Sequence, residues 1–176
     1  MAADAADRIS FLRGLRAVRQ FRPEPVPEAA VADILQVVRW SGSASNQQPW
    51  EVVLVEEPET LRALAGLEGF AKHLAGAPLA VVLVMANQRP EQDTYDEGRL
   101  SERIMLAADA HGLASAIGWF KDAASDEAKR ILGVPSERLL RTIMSVGVAD
   151  RQAYAQRQRP AQPRKPLAEI VHTERW

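Results

Sequence analysis

Apolar residues recur along the chain with two spacings, one typical of helices and one typical of buried strands. In the segment EAAVADILQVVRW, four apolar residues fall at positions i, i+3, i+4 and i+7: Val31, Ile34, Leu35 and Val38. This spacing predicts a helix with one buried face. By contrast, residues 79–85 are apolar at every position, which is typical of a strand buried on both faces.

Other segments fit the same two patterns. Further strands are predicted over residues 51–55, 115–120 and 141–149. Further helices are predicted over 7–15, from Pro58, over 97–113 and over 126–132. Standard signals bound the last of these helices, since Ser125 can cap its start and Gly133 can end it. This mixture predicts an α/β or α+β sandwich of helices around a sheet.

Two polar stretches carry no such pattern. Residues 89–98, RPEQDTYDEG, predict a loop and a mobile flap, in which Tyr95 is either an aromatic gate for a substrate or an exposed loop tyrosine. From Asp150 the chain is polar and rich in proline. The tail 150–176 and the apolar helix 97–113 both need a partner surface, so we expect a homodimer.

Composition narrows the class of protein. The 176 residues are 47% apolar and 26% charged, without an internal repeat or linker, so a single globular domain over residues 1–176 is expected. A net charge of −1 argues against nucleic acid or an anionic membrane as a partner. No signal peptide or membrane span is apparent, which favours a soluble cytoplasmic protein.

Metal and thiol chemistry have little support in the sequence. There is no cysteine, so disulfides, thiolate metal sites and cysteine nucleophiles are excluded. The three histidines, His73, His111 and His172, lack metal-ligand spacing, and no metal site is expected. We interpret His111 as packing at a helix interface. His73 precedes the central strand and is a lesser candidate for a ligand contact.

A loop of small and amide residues precedes the strand that begins at residue 51. It reads SGSASNQQPW from Ser41 to Trp50, and its small positions let a flat ligand approach the backbone. Its hydroxyls and amides supply donors and acceptors for the ligand's edges. The alternative is a solvated turn.

Basic residues form two small clusters. Arg16 and Arg19 follow the first helix three residues apart, so both guanidiniums can face one anion. Arg164 and Lys165 form a second cluster in the tail. Surface ion pairs are the alternative interpretation. Together with the loop, these clusters describe a planar, phosphate-bearing ligand.

The order of these motifs resembles the nitroreductase-like family of FMN flavoproteins. The resemblance rests on RAVRQF, PVPEAAVADILQVVRWSGSASNQQPWEVVLV, AGAPLAVVLV, LAADAHGLASAIGWF, ILGVP and PRKPLAEIV, which span nearly the whole chain. It implies a central mixed or antiparallel sheet flanked by helices, and a C-terminal tail that extends to a dimer partner. It also implies that both chains contribute to each flavin site.

The resemblance also implies roles for individual residues. Arg16 would contact the flavin phosphate and Arg19 the pyrimidine edge, while Arg164 and Lys165 would close the phosphate end. The loop residues expected to line the cofactor are Gly42, Ser43, Ala44, Asn46 and Gln48. The segment expected to pack against the ring, with a backbone N–H near flavin N5, is Ile117, Gly118 and Trp119. Of all these residues, Arg19 and Gly118 are the candidates for a catalytic role.

The chain departs from the family pattern in three places, one of which is the loop that usually lengthens the substrate pocket, reduced here to residues 89–98. The family motif commonly reads Arg-Arg-Ser-x-Arg, whereas residues 15–19 read LRAVR, so we expect phosphate binding either to be weaker or to shift toward Arg13. Trp119 stands where an acidic residue is often found.

The implied activity is ping-pong hydride transfer from NADH or NADPH through FMN to a small acceptor such as a nitroaromatic, a quinone or an enone. A specialised flavin-dependent dehydrogenase on the same scaffold and a non-catalytic flavin-binding or ligand-binding dimer are the alternatives.

Overall fold

The computed structural model describes residues 4–156 and 163–176, so residues 157–162 of the predicted tail lie outside the described residues. The sheet has four strands: β1 (Trp50–Val55), β2 (Leu79–Met85), β3 (Ala114–Trp119) and β4 (Thr142–Gly147). The helices are α1 (Ala5–Gly14), α2 (Glu28–Arg39), α3 (Pro58–Ala65), α4 (Pro90–Ala110), α5 (Asp122–Leu132) and α6 (Arg151–Gln156).

The strands lie in the order β1-β2-β4-β3, and each neighbouring pair is antiparallel. Every residue of β2 is buried, as its unbroken apolar run predicts. The edge of the sheet opposite β1 is formed by β3, where the candidate site begins. The predicted sandwich with an antiparallel sheet is therefore confirmed.

Two hydrophobic cores cover the two faces of this sheet. On one face, α2 and α4 pack against alternate residues of β2 and β4, including Leu83 and Met144. On the other face, α3 and α5 pack against the intervening residues, including Val82 and Ile143. The alternation follows from strand geometry, in which successive side chains point to opposite faces.

The predicted flap at residues 89–98 is wrong, because this segment forms the first half of α4. Pro90 occupies the first turn of the helix, and Glu91 and Asp93 follow there, where carboxylates interact favourably with the helix dipole. The predicted helix 97–113 therefore starts seven residues too late. Its apolar face is also covered by the protein's own core, through Leu100 and Ile104, and does not need a partner.

Two further sequence assignments need correction. α5 begins at Asp122 rather than after Ser125, and the Ser125 hydroxyl instead donates to the backbone carbonyl of Leu140. Tyr95 lies on the exposed surface of α4, where Arg99 approaches its ring. The predicted stop at Gly133 is confirmed, since this residue adopts the left-handed conformation that favours glycine.

The two ends of the chain expose apolar side chains. α1 buries none of its residues and leaves Ile9, Phe11 and Leu12 exposed. The described tail exposes Ile170 and Val171. Over residues 4–156 and 163–176, no helix has the length and apolar character needed to cross a membrane.

Candidate flavin site

The segment after α1 lies against the outer edge of β3. Ala17 forms a parallel bridge with Ser115, and the Val18 N–H donates to the Ser115 carbonyl over 2.9 Å. This pairing places Arg16 and Arg19 beside the strand that carries the predicted ring-facing residues.

Both predicted arginines line a cavity of about 680 Å³, which we call the arginine cavity. Arg13 and Arg164 line it too, so guanidiniums from both ends of the chain surround one space. The cavity's remaining wall includes Glu102 and Met105 of α4 and Ile117 of β3. Arginine forms bidentate contacts with phosphate, and this concentration of positive charge suits an anionic ligand.

Arg16 also stabilises the end of α1. Its Nη1 donates to the carbonyls of Arg13, at 2.7 Å, and of Leu15, at 2.8 Å. These carbonyls lie at the helix C-terminus, where the last carbonyls lack partners within the helix and a cation is favourable. The guanidinium is thus oriented by the helix end at the mouth of the cavity.

The middle of β3 lies between two flanking contacts. The Ser115 pairing lies at one end, and at the other the Phe70 N–H donates to the Trp119 carbonyl over 2.8 Å. Between them, Ile117 lines the arginine cavity, whereas Gly118 lies close to the His73 ring and the Phe70 carbonyl. Trp119 and Phe70, both exposed, stack with ring centroids 5.0 Å apart.

The loop at residues 41–49, which we call the amide loop, has an unusual backbone. Ser45, Asn46 and Gln48 have φ angles of 52°, 54° and 49°. Non-glycine residues seldom adopt this left-handed region, and such strain is concentrated at functional sites. The Gln48 N–H donates to Ser43 Oγ over 2.8 Å and closes the loop.

The amide loop faces α4 and solvent rather than the arginine cavity. The Ala44 N–H reaches Asp96 Oδ2 of α4 at 3.4 Å, and the Arg99 side chain lies against Gly42. The side chains of Asn46 and Gln48 are exposed. Among the described residues of one chain, the arginine cavity is lined by no residue of this loop.

His73 lies behind the ring-facing segment, on the sheet face opposite Ile117. Its Nδ1 is 2.8 Å from Ser145 Oγ of β4. Burial lowers the pKa of His73 from 6.5 to about 4, and the nearby Arg19 charge contributes to this lowering. The imidazole is therefore neutral at pH 7.

A second groove, of about 570 Å³, lies near Trp119, and its cationic side chains pair with carboxylates. Its Lys129 pairs with Asp126 at 2.7 Å, and its Arg138 and Arg141 pair with Glu51 and Glu97. Within the described parts of the chain, no three histidine or acidic side chains come together as a possible metal site.

The structure thus gathers part of the predicted site within one chain. Arg16, Arg19, Ile117 and Arg164 line one cavity, whereas the amide-loop residues lie elsewhere and Lys165 is exposed in the segment before Leu167. Sequence reasoning missed Glu102. A charged residue on a helix looks the same in the sequence whether it lines a cavity or faces solvent.

Comparison with known proteins finds nitroreductases among the similar sequences. The model of the family described as "Nitroreductase family" matches residues 12–81. Nitroreductase NfnB from Mycolicibacterium smegmatis is 29% identical, with 86% of each chain covered. An NADH dehydrogenase from Thermus thermophilus is 40% identical over 39% of this chain, a match that spans only 33% of that protein.

Solved structures share the fold. An FMN-dependent nitroreductase from Clostridium difficile superimposes with a TM-score of 0.80 over 96% of this chain and 99% of that chain, at 23% identity. An NADPH:FMN oxidoreductase from Vibrio harveyi complexed with NAD+ gives 0.79 over 96% and 77%, at 20% identity. Residues 12–81 are therefore similar to the nitroreductase family, and the chain shares the fold of these solved structures.

Proposed function

We propose that this chain, as one domain over residues 1–176, binds FMN and transfers electrons from NADH or NADPH to a small organic acceptor such as a nitroaromatic, a quinone or an enone. The observation that carries this proposal is the arginine cavity, which brings Arg13, Arg16, Arg19 and Arg164 to the edge of β3. FMN supplies the hydride-accepting chemistry when bound, and the protein supplies placement and electrostatics. A cytoplasmic location suits this dependence on reduced nicotinamide nucleotides.

The donor set of the cavity fits FMN. A phosphate monoester carries close to two negative charges, and Arg16, Arg13 and Arg164 offer several donors in fork geometry. The single lining carboxylate, Glu102, leaves the described lining with a positive balance. We assign phosphate binding to Arg16 and Arg164, with Lys165 adjacent in sequence.

The other end of the cavity suits the flavin ring. Ile117 lies in its wall, and we infer that the backbone of β3 at Ile117 lies along the ring, with Gly118 and Trp119 following it. The predicted donor at Gly118 is corrected to Ile117, because the Phe120 N–H donates to the Arg141 carbonyl and strand alternation therefore turns the Gly118 N–H toward β4 and the Ile117 N–H toward the outer edge of the sheet. Arg19 places a fixed positive charge where negative charge develops at the pyrimidine edge. Such preorganised charge lowers the barrier in the same way as an oxyanion hole.

The separation of the amide loop from the arginine cavity supports a homodimer with composite sites. The loop exposes the amide side chains of Asn46 and Gln48 on a strained backbone, and its other predicted cofactor-lining residues are Gly42, Ser43 and Ala44. We propose that they line the FMN held in the cavity of the second copy. The exposed apolar residues of α1 and of the tail provide surface for such an association.

Mixing two variants tests the composite site. Arg16→Ala impairs the cavity, and Asn46→Ala impairs the loop. In a mixed dimer one site would carry both changes and the other neither, so random mixing restores about a quarter of the wild-type sites. FMN bound per chain at low FMN concentration measures this recovery. A mixture that binds no more FMN than the two variants alone would place the loop outside the site.

Steady-state oxidation of NADH and NADPH, with and without a quinone, separates an oxidoreductase from a non-catalytic flavin-binding dimer. A purified protein with flavin absorbance and parallel double-reciprocal plots supports the proposal, because ping-pong kinetics is expected. Flavin-loaded protein that oxidises neither nucleotide contradicts it.

Arginine variants locate the reaction within the cavity. Arg16→Ala should raise the Kd for FMN by about 10- to 100-fold, the loss of a charged hydrogen bond. Arg19→Ala should lower the flavin's reduction potential and slow its reduction at saturating FMN. Arg22→Ala is the matched control, because Arg22 lies outside the cavity and faces Glu24 at 3.8 Å. An unchanged rate and potential in Arg19→Ala would remove that residue from the mechanism.

A further inference from the structure

His73 contacts the ring-facing part of β3 from behind. A Cβ atom added to Gly118 would lie 2.9 Å from His73 Nε2 and 2.9 Å from the Phe70 carbonyl oxygen. A side chain at Gly118 is therefore incompatible with the observed position of the imidazole. The absence of a side chain at this one residue lets the histidine approach the strand directly.

The imidazole connects three segments of the chain. Nδ1 is 2.8 Å from Ser145 Oγ, and that hydroxyl lies 3.4 Å from the Ala116 carbonyl of β3. The carbonyls of Phe70 and Ile117 lie close enough to raise the pKa of the ring slightly against the larger lowering by burial. Because the single hydroxyl proton of Ser145 is donated to the Ala116 carbonyl, Nδ1 carries the ring proton and donates to Ser145 Oγ, and Nε2 has no hydrogen-bond partner among the described residues.

The neutral charge state of His73 suits its location behind β3 and near Arg19. Burial, followed by the charge of Arg19, holds the pKa of His73 at about 4. A neutral ring can donate and accept hydrogen bonds behind β3 without adding a second positive charge beside Arg19. The electrostatic role at the ring edge is then left to the arginine alone.

We propose that His73 is a positioning residue for the flavin reaction, which fixes the Ile117–Gly118 peptide relative to Arg19. This inference rests on the proposed function. Ser145 orients the imidazole, the imidazole packs against the backbone of Gly118, and the adjoining Ile117 forms part of the wall of the arginine cavity. Small displacements of groups in contact with the reacting atoms reduce rates strongly, even when the ligand still binds.

Two variants with a matched control test this role. His73→Gln replaces the ring by a flexible amide, and Ser145→Ala keeps the ring but removes the Nδ1 partner. His111→Gln is the control, since His111 pairs with the exposed Asp33 at 3.0 Å on α2. Each FMN-saturated protein is mixed with excess NADH or NADPH in a stopped-flow instrument.

A positioning role predicts a change in rate without a matching change in affinity. Flavin reduction should slow by about tenfold in His73→Gln and by a smaller factor in Ser145→Ala, with the Kd for FMN within about threefold of wild type. The control should reduce at the wild-type rate. Loaded, folded His73→Gln and Ser145→Ala proteins that both reduce at the wild-type rate overturn the proposal.

The flavin-free protein provides an independent readout. In NMR titration, the ring of His73 should stay neutral down to about pH 4, and Ser145→Ala should change the tautomer signature of its nitrogens. A pKa near the ordinary value of 6.5 would show that the His73 ring is not buried and held in place, and would contradict the proposal. Wild-type protein that takes up no FMN overturns the proposed function itself, and the positioning role with it.

Discussion

The amide loop and the first half of α4 are both polar, yet they use their polar groups in opposite ways. In the amide loop, residues 41–49, the amide side chains are exposed and the backbone is strained. In residues 90–98, which we call the acidic segment, Asp93, Asp96 and Glu97 are almost fully buried in a regular helix.

The difference lies in where the partners come from. Glu97 receives hydrogen bonds at 2.6 and 2.8 Å from Arg141, a residue distant in sequence, and Asp96 pairs with Arg99 at 3.1 Å. The amide loop has mainly local contacts, such as Gln48 to Ser43. A polar stretch can therefore be buried in a helix when a distant cation such as Arg141 pairs with one of its carboxylates, although Asp93 Oδ2 and Glu97 Oε1 have no hydrogen-bond partner among the described residues. A polar stretch left exposed under strain is instead a candidate for ligand binding.

Removing the distant cation should give the largest effect on stability. Arg141→Ala leaves the Glu97 carboxylate, 3% exposed at its side chain, without its guanidinium. We expect the free energy of unfolding to fall by about 3 kcal/mol, because an unpaired buried charge is costly. Urea unfolding at pH 7 measures the change.

Arg138→Ala is the matched control for that measurement. Its partner, Glu51, is 66% exposed at the side chain, so water can solvate the carboxylate that remains. The loss should stay below about 1 kcal/mol. If the two variants lose the same free energy of unfolding, the buried Arg141–Glu97 pair contributes no more to stability than the exposed Arg138–Glu51 pair.

This contrast also explains what the sequence could predict. Local patterns identified β2, the helix containing Val38 and the stop at Gly133, because the information for each lies within a few residues. The acidic segment was assigned to a loop because its stabilising partner, Arg141, lies 44 residues away. No periodicity reveals a pair of that kind.

The candidate site shows the same limit. Arg16 and Arg19 could be paired from their spacing, and Arg164 could be recognised as part of a second basic cluster, but its placement at the same phosphate came only from resemblance to a family. The role of His73 depends on Ser145 and Gly118, which are distant in sequence and meet only when β3 and β4 pair. The amide loop was recognised from its composition, but its left-handed backbone at Ser45, Asn46 and Gln48 was not predictable.

His73 shows a third way of burying a polar group, as a neutral ring without a counter-charge. Low pH should therefore destabilise the protein through this residue. The pKa of His73 is about 4 in the folded protein, against an ordinary value of 6.5 in an unfolded chain, so the unfolded state binds more protons between those values. Stability from the neutral ring is therefore fully present above about pH 6.5 and is lost as the pH falls toward 4. After allowance for partial exposure, we expect a loss of about 2 kcal/mol.

Urea unfolding of wild type and His73→Gln at pH 7 and at pH 4.5 measures this contribution. Because glutamine does not titrate, the variant should lose about 2 kcal/mol less than wild type over that interval. Identical pH dependence in the two proteins would show that His73 is solvated in the folded state.

The smallest expected effect concerns strain in the amide loop. Glycine adopts positive φ without steric cost, so Gln48→Gly, at φ 49°, should raise the free energy of unfolding by about 0.5 kcal/mol. Gln47→Gly is an unusually close control, because Gln47 is the same residue type one position earlier with a helical φ of −73°. There glycine only adds freedom to the unfolded chain and should lower stability by about 0.5–1 kcal/mol. Opposite signs at adjacent glutamines would establish that the loop stores strain, and equal signs would show that residues 41–49 are no more strained than an ordinary turn.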